Sequence, residues 1–486
     1  MQTSPDTAAR GLLLLLLCAC PPEGDANPTG SSTGDTSTGS QTSSSSGGDA
    51  STSGTSTTDA PETSDTSSGT SGDSTGSSST TSDDSSSGDS SSGDSSSGDS
   101  SSGDSSSGGD PECVQNFGFD ETDFCYSKQP VQYGEVPGTR LLLAGDVQPD
   151  GHLDVIVPGA AGGIAVYPGD GAGGLGPPVL TPTDPPTSAA AGDFDGDGQL
   201  DLVVSFAGVT PRIDLMLGDG GGGFVLEDSF PSGVSVARSL ATGDFDNDGD
   251  LDAVAIHNGV GVNHPKRLGS VTSAGGVAWS YADQPLINIF KDDFTYDAWL
   301  PYLTIGSVDG VYTDVIVTTE RSVDQPHRLR SDGLGKFTYQ GLLDPKGSLI
   351  GVFPLVVLDV DEDGDNDLIG PTKPGLLVFK YLENLGGGTW TPPVLSDLSE
   401  GAQAGMAVGE LIQGPRPDLV YSGGDGWPTM ARRIEADGEV VSPGGLGFNL
   451  GPSRAFVLPD LNEDGMSDFV FVPQSAPYPL SVKLSQ

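Results

Sequence analysis

Positive charge is scarce in this chain. Lys and Arg number 20 against 68 Asp and Glu, and the formal net charge is −48. Phosphate backbones are held by clustered Lys and Arg, so a nucleic-acid partner is disfavoured. Long apolar runs are missing too. The longest, Leu12 to Leu17, is far shorter than the roughly 20 residues that span a bilayer. Gly (73) and Pro (37) recur throughout, which argues against long helices. Only four His are present, His152, His257, His264 and His327, and they are scattered. No Gly-rich loop carries a phosphate-binding Lys. The GVSVA string from Gly233 has no strand-to-helix context, so it does not read as a nucleophile turn. No catalytic constellation emerges, and an enzyme is not expected.

Apolar residues are also lacking from Pro21 to Asp110, which is nearly all Ser, Thr, Gly and Asp. It holds fifteen acidic residues and no Lys or Arg. Such a segment cannot offset its ordering entropy and reads as a disordered linker. A glycosylated stalk would have the same composition. A coil of this length extends about 50 Å, more with charge repulsion. The residues before it, 1–20, read as a signal peptide with Leu12–Leu17 as its core. Leu17-Cys18-Ala19-Cys20 resembles a bacterial lipoprotein box, which implies lipidation at Cys20. An ordinary secretory signal is the alternative. The expected location is therefore the outer membrane or cell surface through a lipid anchor, or else the periplasm or medium. The other two cysteines, Cys113 and Cys125, lie close together, and in an exported chain such a pair is expected to form a disulfide.

The remaining residues, 111–486, carry about −33 of the net charge and repeat themselves. Four segments read GDFDGDGQLDLVV from Gly192, GDFDNDGDLDAVA from Gly243, LDVDEDGDNDLIG from Leu358 and PDLNEDGMSDFVF from Pro459. A fifth, GDVQPDGHLDVIV from Gly145, has Gln148 at the third motif position. Two are eroded: GSVDGVYTDVIV from Gly306 keeps Asp309 and Asp314, and GELIQGPRPDLVY from Gly409 keeps Glu410 and Asp418. Spacing between units is mostly 47 to 53 residues, with one interval near 62. That length holds four short strands and their turns. Six Gly-rich turns recur in register, ending at Leu175, Phe224, Trp279, Phe337, Trp390 and Val441. Asp-Gly and Gly-Gly pairs between apolar runs signal hairpins.

Each unit thus reads as strand, Asp loop, strand, loop, strand, Gly turn, strand. Seven Asp loops but only six Gly turns leave the last unit, ending LSVKLSQ, short of a fourth strand. The segment Tyr126 to Tyr133, upstream of the first unit, is expected to supply it and close a ring. The expected fold is all-β: a seven-bladed propeller of four-stranded blades. These units resemble the FG-GAP and VCBS-type repeats of integrin α-chain propellers and bacterial surface proteins. That resemblance implies calcium in the loop between the first two strands of a blade.

The residues themselves suit calcium, which takes six to eight oxygen ligands from flexible loops. Alternate Asp side chains in a tight loop aim at one centre, and Gly permits the turn. The expected ligands in the second unit are Asp193, Asp195, Asp197 and Asp201, with the backbone carbonyl of Gln199. The matching sets are Asp244, Asp246, Asp248, Asp250 and Asp252; Asp359, Asp361, Asp363, Asp365 and Asp367; and Asp460, Asn462, Asp464, Met466 and Asp468. Asp146, Asp150 and Asp154 form a weaker set. An EF-hand would need a Glu at the twelfth position, where these loops have Val157, Val204, Ala255, Gly370 and Phe471. Magnesium retains its waters and fits such cages poorly. Asp and Gly also favour plain turns, but four copies in register argue for metal.

Opposite the Asp loops, the segment Tyr281 to Tyr302 carries Phe290, Phe294, Tyr296 and Trp299. Nearby loops carry His264, Lys266, Arg267, Arg321, Arg328 and Arg330. Aromatics with Arg suit a recognition patch, and they equally suit the core of an enlarged blade. The expected function is a monomeric, calcium-binding adhesion module for a protein or glycan at the cell surface. A propeller-scaffold enzyme such as a polysaccharide lyase and a purely structural envelope component are the alternatives.

Overall fold

A computed structural model describes residues 111–114, 124–127, 129–232, 237–257, 267–273, 278–286, 301–310, 312–319, 325–343, 355–371, 378–386, 389–397, 403–411, 416–423, 429–441 and 453–485. The signal segment with Cys20, the Ser/Thr/Gly/Asp linker, the Gly233–Val236 part of GVSVA, His264, Lys266, Arg321 and the aromatics Phe290, Phe294, Tyr296 and Trp299 lie outside these residues.

Seven four-stranded antiparallel sheets follow one another along the chain. Blade one runs over 143–182, blade two 186–231, blade three 237–285, blade four 301–342, blade five 356–397 and blade six 403–441. Blade seven takes three strands from 453–483. The first strand of a blade meets the first strand of the next, so first strands line the inside of the ring.

The hydrophobic core lies between blades rather than within them. The second strand of each blade is covered on both faces, and its residues alternate between neighbours. In Asp201–Phe206, Leu202 and Val204 pack with Ile156 and Val166 of blade one. Val203 faces the other way, onto Leu240 and Ala255 of blade three. The same alternation recurs at Ile156, Val254, Ile316 and Val420. Each pair of neighbouring blades shares one such cluster. The seventh joins blade seven (Val470, Val482) to blade one (Val155, Val157), so the ring closes.

Three short strands precede blade one: β1 (Pro111–Val114), β2 (Phe124–Ser127) and β3 (Val131–Glu135). β3 pairs antiparallel with Pro479–Lys483 and is the fourth strand of blade seven. The closing segment expected at Tyr126–Tyr133 therefore divides in two. Its second half closes the ring, whereas Tyr126 belongs to the β1–β2 hairpin. There, Cys113 and Cys125 are direct cross-strand partners. Opposed antiparallel residues have Cα atoms about 4.5–5.5 Å apart, inside the range a disulfide needs.

The hairpin is docked, not loose. Tyr126 is fully buried among Ala407, Leu411 and Val420 of blade six and Phe456 and Phe469 of blade seven. Its hydroxyl donates to the Ser467 carbonyl at 2.7 Å, and Ser127 N donates to Leu484 O at 2.8 Å. Tyr126→Ala should cost about 3–5 kcal/mol, and Tyr126→Phe only about 1 kcal/mol. Denaturant unfolding of the two variants checks this; equal effects would mean that the ring phenol is not an anchor.

Candidate metal centres

Five loops with the Asp motif share one backbone design. The first Asp accepts from the amide of the Gly five residues on. Gly198 N donates to Asp193 Oδ2 at 3.0 Å, and Gly151, Gly249, Gly364 and Gly465 repeat the bond to Asp146, Asp244, Asp359 and Asp460. The third motif carboxylate accepts from the amide two residues on, as in Gln199 N to Asp197 Oδ1 at 2.8 Å and Asp250 N to Asp248 Oδ1 at 3.0 Å. Asp365 N to Asp363, Met466 N to Asp464 and His152 N to Asp150 follow suit. These bonds aim the carboxylates before any ion arrives.

The loops also require positive φ at two positions. Gly198 (86°) and its counterparts meet the second at no cost. The first is Gly196 (76°) in blade two, but Asn247 (62°), Glu362 (63°) and Glu463 (57°) in blades three, five and seven. A left-handed Glu carries about 1–2 kcal/mol of strain, and such strain gathers at sites of function. Blade one has Pro149 here, whose ring fixes φ negative, so its loop departs from the pattern.

Carboxylates converge in three blades. Asp193, Asp195 and Asp197; Asp244, Asp246 and Asp248; and Asp359, Asp361 and Asp367 each bring oxygens within 4.8 Å of one another. Two ligands at the 2.3–2.6 Å calcium distance lie at most about 5 Å apart, so these donor sets fit the ion. Burial, then the neighbouring Asp197 and Asp193 carboxylates, hold the Asp195 carboxyl above its usual range. Burial and a carboxyl–carboxyl contact with Asp248 do the same to Asp246. Groups so arranged repel one another until a cation is placed among them.

The last motif Asp has a second task that the sequence reading missed. In blade two Asp201 is 1% exposed. Its Oδ2 accepts from Phe194 N at 2.8 Å and its Oδ1 from Gly218 N at 2.8 Å. One carboxylate thus ties the loop to both the second strand and the turn after the third. Asp154, Asp252, Asp367 and Asp468 make the same two bonds. In the eroded blades Asp314 and Asp418 keep the loop bond, from Val308 N and Leu411 N. In Asp201 and Asp252 both oxygens retain a lone pair, and in Asp154, Asp367 and Asp468 one oxygen does, so stapling and metal ligation are compatible. Burial pushes the Asp201 and Asp468 carboxyls up to about 6 and Asp252 up to about 7, against the pull of their backbone donors. The signal was legible: this Asp is the one residue of the loop kept in all seven units.

The loops are also stitched to their neighbours through the carbonyl of the second loop residue. Ser331 Oγ donates to Phe245 O, Asn384 Nδ2 to Val308 O (2.8 Å), Arg416 Nε to Val360 O (2.8 Å) and Gly173 N to Leu461 O (3.1 Å). Each bond runs from one blade to the loop of the blade before it.

Other candidates sit elsewhere. His152 Nδ1 meets Glu463 Oε1 at 2.5 Å, linking the loops of blades one and seven. His257 is buried with its Nε2 3.3 Å from Asp283, which also binds Arg267. His327 contacts the Tyr339 hydroxyl at 2.9 Å. Arg328 and Arg330, expected in the opposite-face patch, instead lie on the third strand of blade four and turn to Asp309 and Asp314 at the Asp-loop end. The cause is the two carboxylates there, one of them fully buried.

Residues 146–204 match the family model for the FG-GAP-like repeat, and residues 185–226 match that for the FG-GAP repeat. The chain thus carries FG-GAP repeats in a seven-bladed propeller. No curated protein sequence matches it. Among solved structures, two crystal structures of BBS1N in complex with ARL6DN align with it. The one soaked with lead has 12% identity and TM-score 0.46, and the one soaked with mercury has 11% and 0.48. Each alignment covers 74% of this chain and 97% of the other.

The two classes of Asp should behave oppositely on substitution. In chelator, Asp252→Ala should lose about 3 kcal/mol, since two buried amides lose their acceptor. Asp246→Asn should be neutral or stabilising there, because it removes repulsion, yet should abolish any calcium response of its loop. Chemical denaturation with and without chelator decides; equal losses would leave no distinction between staple and ligand.

Proposed function

We propose that this chain is a calcium-stabilised propeller acting as a non-catalytic binding module, tethered to the cell envelope through Cys20 and its acidic linker. The observation that carries the reading is the convergence of three carboxylates in each of blades two, three and five. Calcium supplies the positive charge that these oxygens lack. The loop amides hold the carboxylates in place, and the stapling Asp passes the loop's order to the adjoining strands. Asp460, Asn462 and Asp464 present the same loop design in blade seven. Asp146 and Asp150 offer a poorer set. Among the described residues no helix is long and apolar enough to cross a membrane. A binding role is supported by a closed ring of blades whose connecting loops differ from blade to blade.

Because calcium binds the folded loops and not the unfolded chain, it should raise Tm. At 100 times Kd, a single site contributes about 2.7 kcal/mol. Calorimetric titration should give several ions per chain, with magnesium much weaker. A Tm unmoved by either calcium or chelator would refute the metal reading. For the binding role, a glycan array and a panel of purified envelope proteins, probed with and without calcium, should yield a calcium-dependent ligand. Turnover of a uronic-acid polymer would instead establish an enzyme.

A further inference from the structure

Blade four lacks the Asp motif but not the positive charge. Its loop keeps two carboxylates, Asp309 and Asp314, the latter with no exposed surface. Arg328 reaches both, with a guanidinium nitrogen 2.6 Å from Asp314 Oδ2 and 3.0 Å from Asp309 Oδ2. Arg330 adds a contact to Asp309 Oδ2 at 2.8 Å and lies over the Tyr312 ring at 5.5 Å. Arg328 is itself only 13% exposed.

The position of Arg328 is informative. It pairs with Ile316, two residues after the stapling Asp, on the third strand. The equivalent partners are Leu215 in blade two, Ser270 in blade three and Tyr381 in blade five. The three blades whose carboxylates converge carry a neutral side chain there; of the two blades with eroded loops, blade four carries a cation and blade six carries Ala431. The sequence distributes arginine the same way. Of twelve arginines, Arg321, Arg328, Arg330, Arg416, Arg432 and Arg433 fall in the two units with incomplete Asp motifs.

We propose that Arg328, assisted by Arg330, is the resident cation of blade four: it neutralises Asp309 and Asp314 from within, so this blade binds no metal and stays locked when metal is withdrawn. The inference rests on the reading that the complete Asp loops take a divalent ion. A guanidinium offers several fixed donors and keeps its charge at any pH the protein meets. Removing it strands a buried carboxylate, whereas removing both partners does not.

The test uses the full chain and calcium itself as the probe. Arg328→Met should lower Tm by about 5 °C, equally in calcium and in chelator. Adding Asp314→Asn to that variant should regain most of the loss, and should restore folding if Arg328→Met alone does not fold. A loss that calcium relieves, no loss at all, or no recovery in the double variant overturns the proposal. Counting bound calcium supplies the second arm. Asp309→Asn should leave the number of ions unchanged, and Asp246→Asn should lower it by one. A lower count with Asp309→Asn overturns the proposal. If the wild-type chain binds no calcium yet the stability arm behaves as stated, the metal reading of the other loops fails while the arginine lock stands.

Discussion

Everything on the loop face depends on one buried carboxylate per blade. The Asp that ends each loop lies out of water and holds the amide of the loop's second residue, and in five blades it also holds the amide that begins the turn after the third strand. A carboxylate with two backbone donors is a strong, directional tie, and one that loses its donors in the interior is costly. This tie explains why the position survives where the rest of the motif has decayed. It also explains how a loop of mutually repelling acids can be fixed to a sheet: the strand anchors one end of the loop, and the outer carboxylates are left to meet a cation.

The second constraint is the sharing of core between blades. No blade buries its own faces; Val203 belongs to one interface and Leu202 to the other. A ring built this way gains its apolar burial as each blade meets the next, and closure adds the last interface, between blades seven and one. The stitches from each blade to the carbonyl of the preceding loop add a polar layer to the same interfaces. Order in one loop is therefore felt in its neighbour, because the carbonyl that accepts the stitch follows the first motif Asp directly.

Much of this was legible in the sequence. The count of seven follows from Asp loops and Gly turns that recur in register, since turn chemistry and strand length fix the unit. The shortfall of one strand at Lys483 pointed to closure from the N-terminal side. What the sequence did not reveal was which part of Tyr126–Tyr133 does the closing. Both halves have polar, strand-compatible residues, and only the space between Phe456 and Leu411 selects Tyr126 as a plug. The dual role of Asp201 and its equivalents showed only in the comparison of all seven units. An Asp in a D-x-D-x-D-G loop reads as a ligand, and nothing local says that it is buried. Arg328 was misplaced because a strand residue next to His327 gives no hint of which end of the blade its long side chain will seek.

The docked hairpin bears on how the ring takes mechanical load. A pull arriving from the residues before Pro111 reaches β1 first, then β2, and only then the outermost strand of blade seven. An edge strand pulled from its end would unzip one bond at a time. Here the phenol of Tyr126, wedged between blades six and seven, must come out before the force is felt at Val131. The seam of the ring is thus guarded by a plug, and traction along the chain is borne by the joint of two blades before it can open the last one.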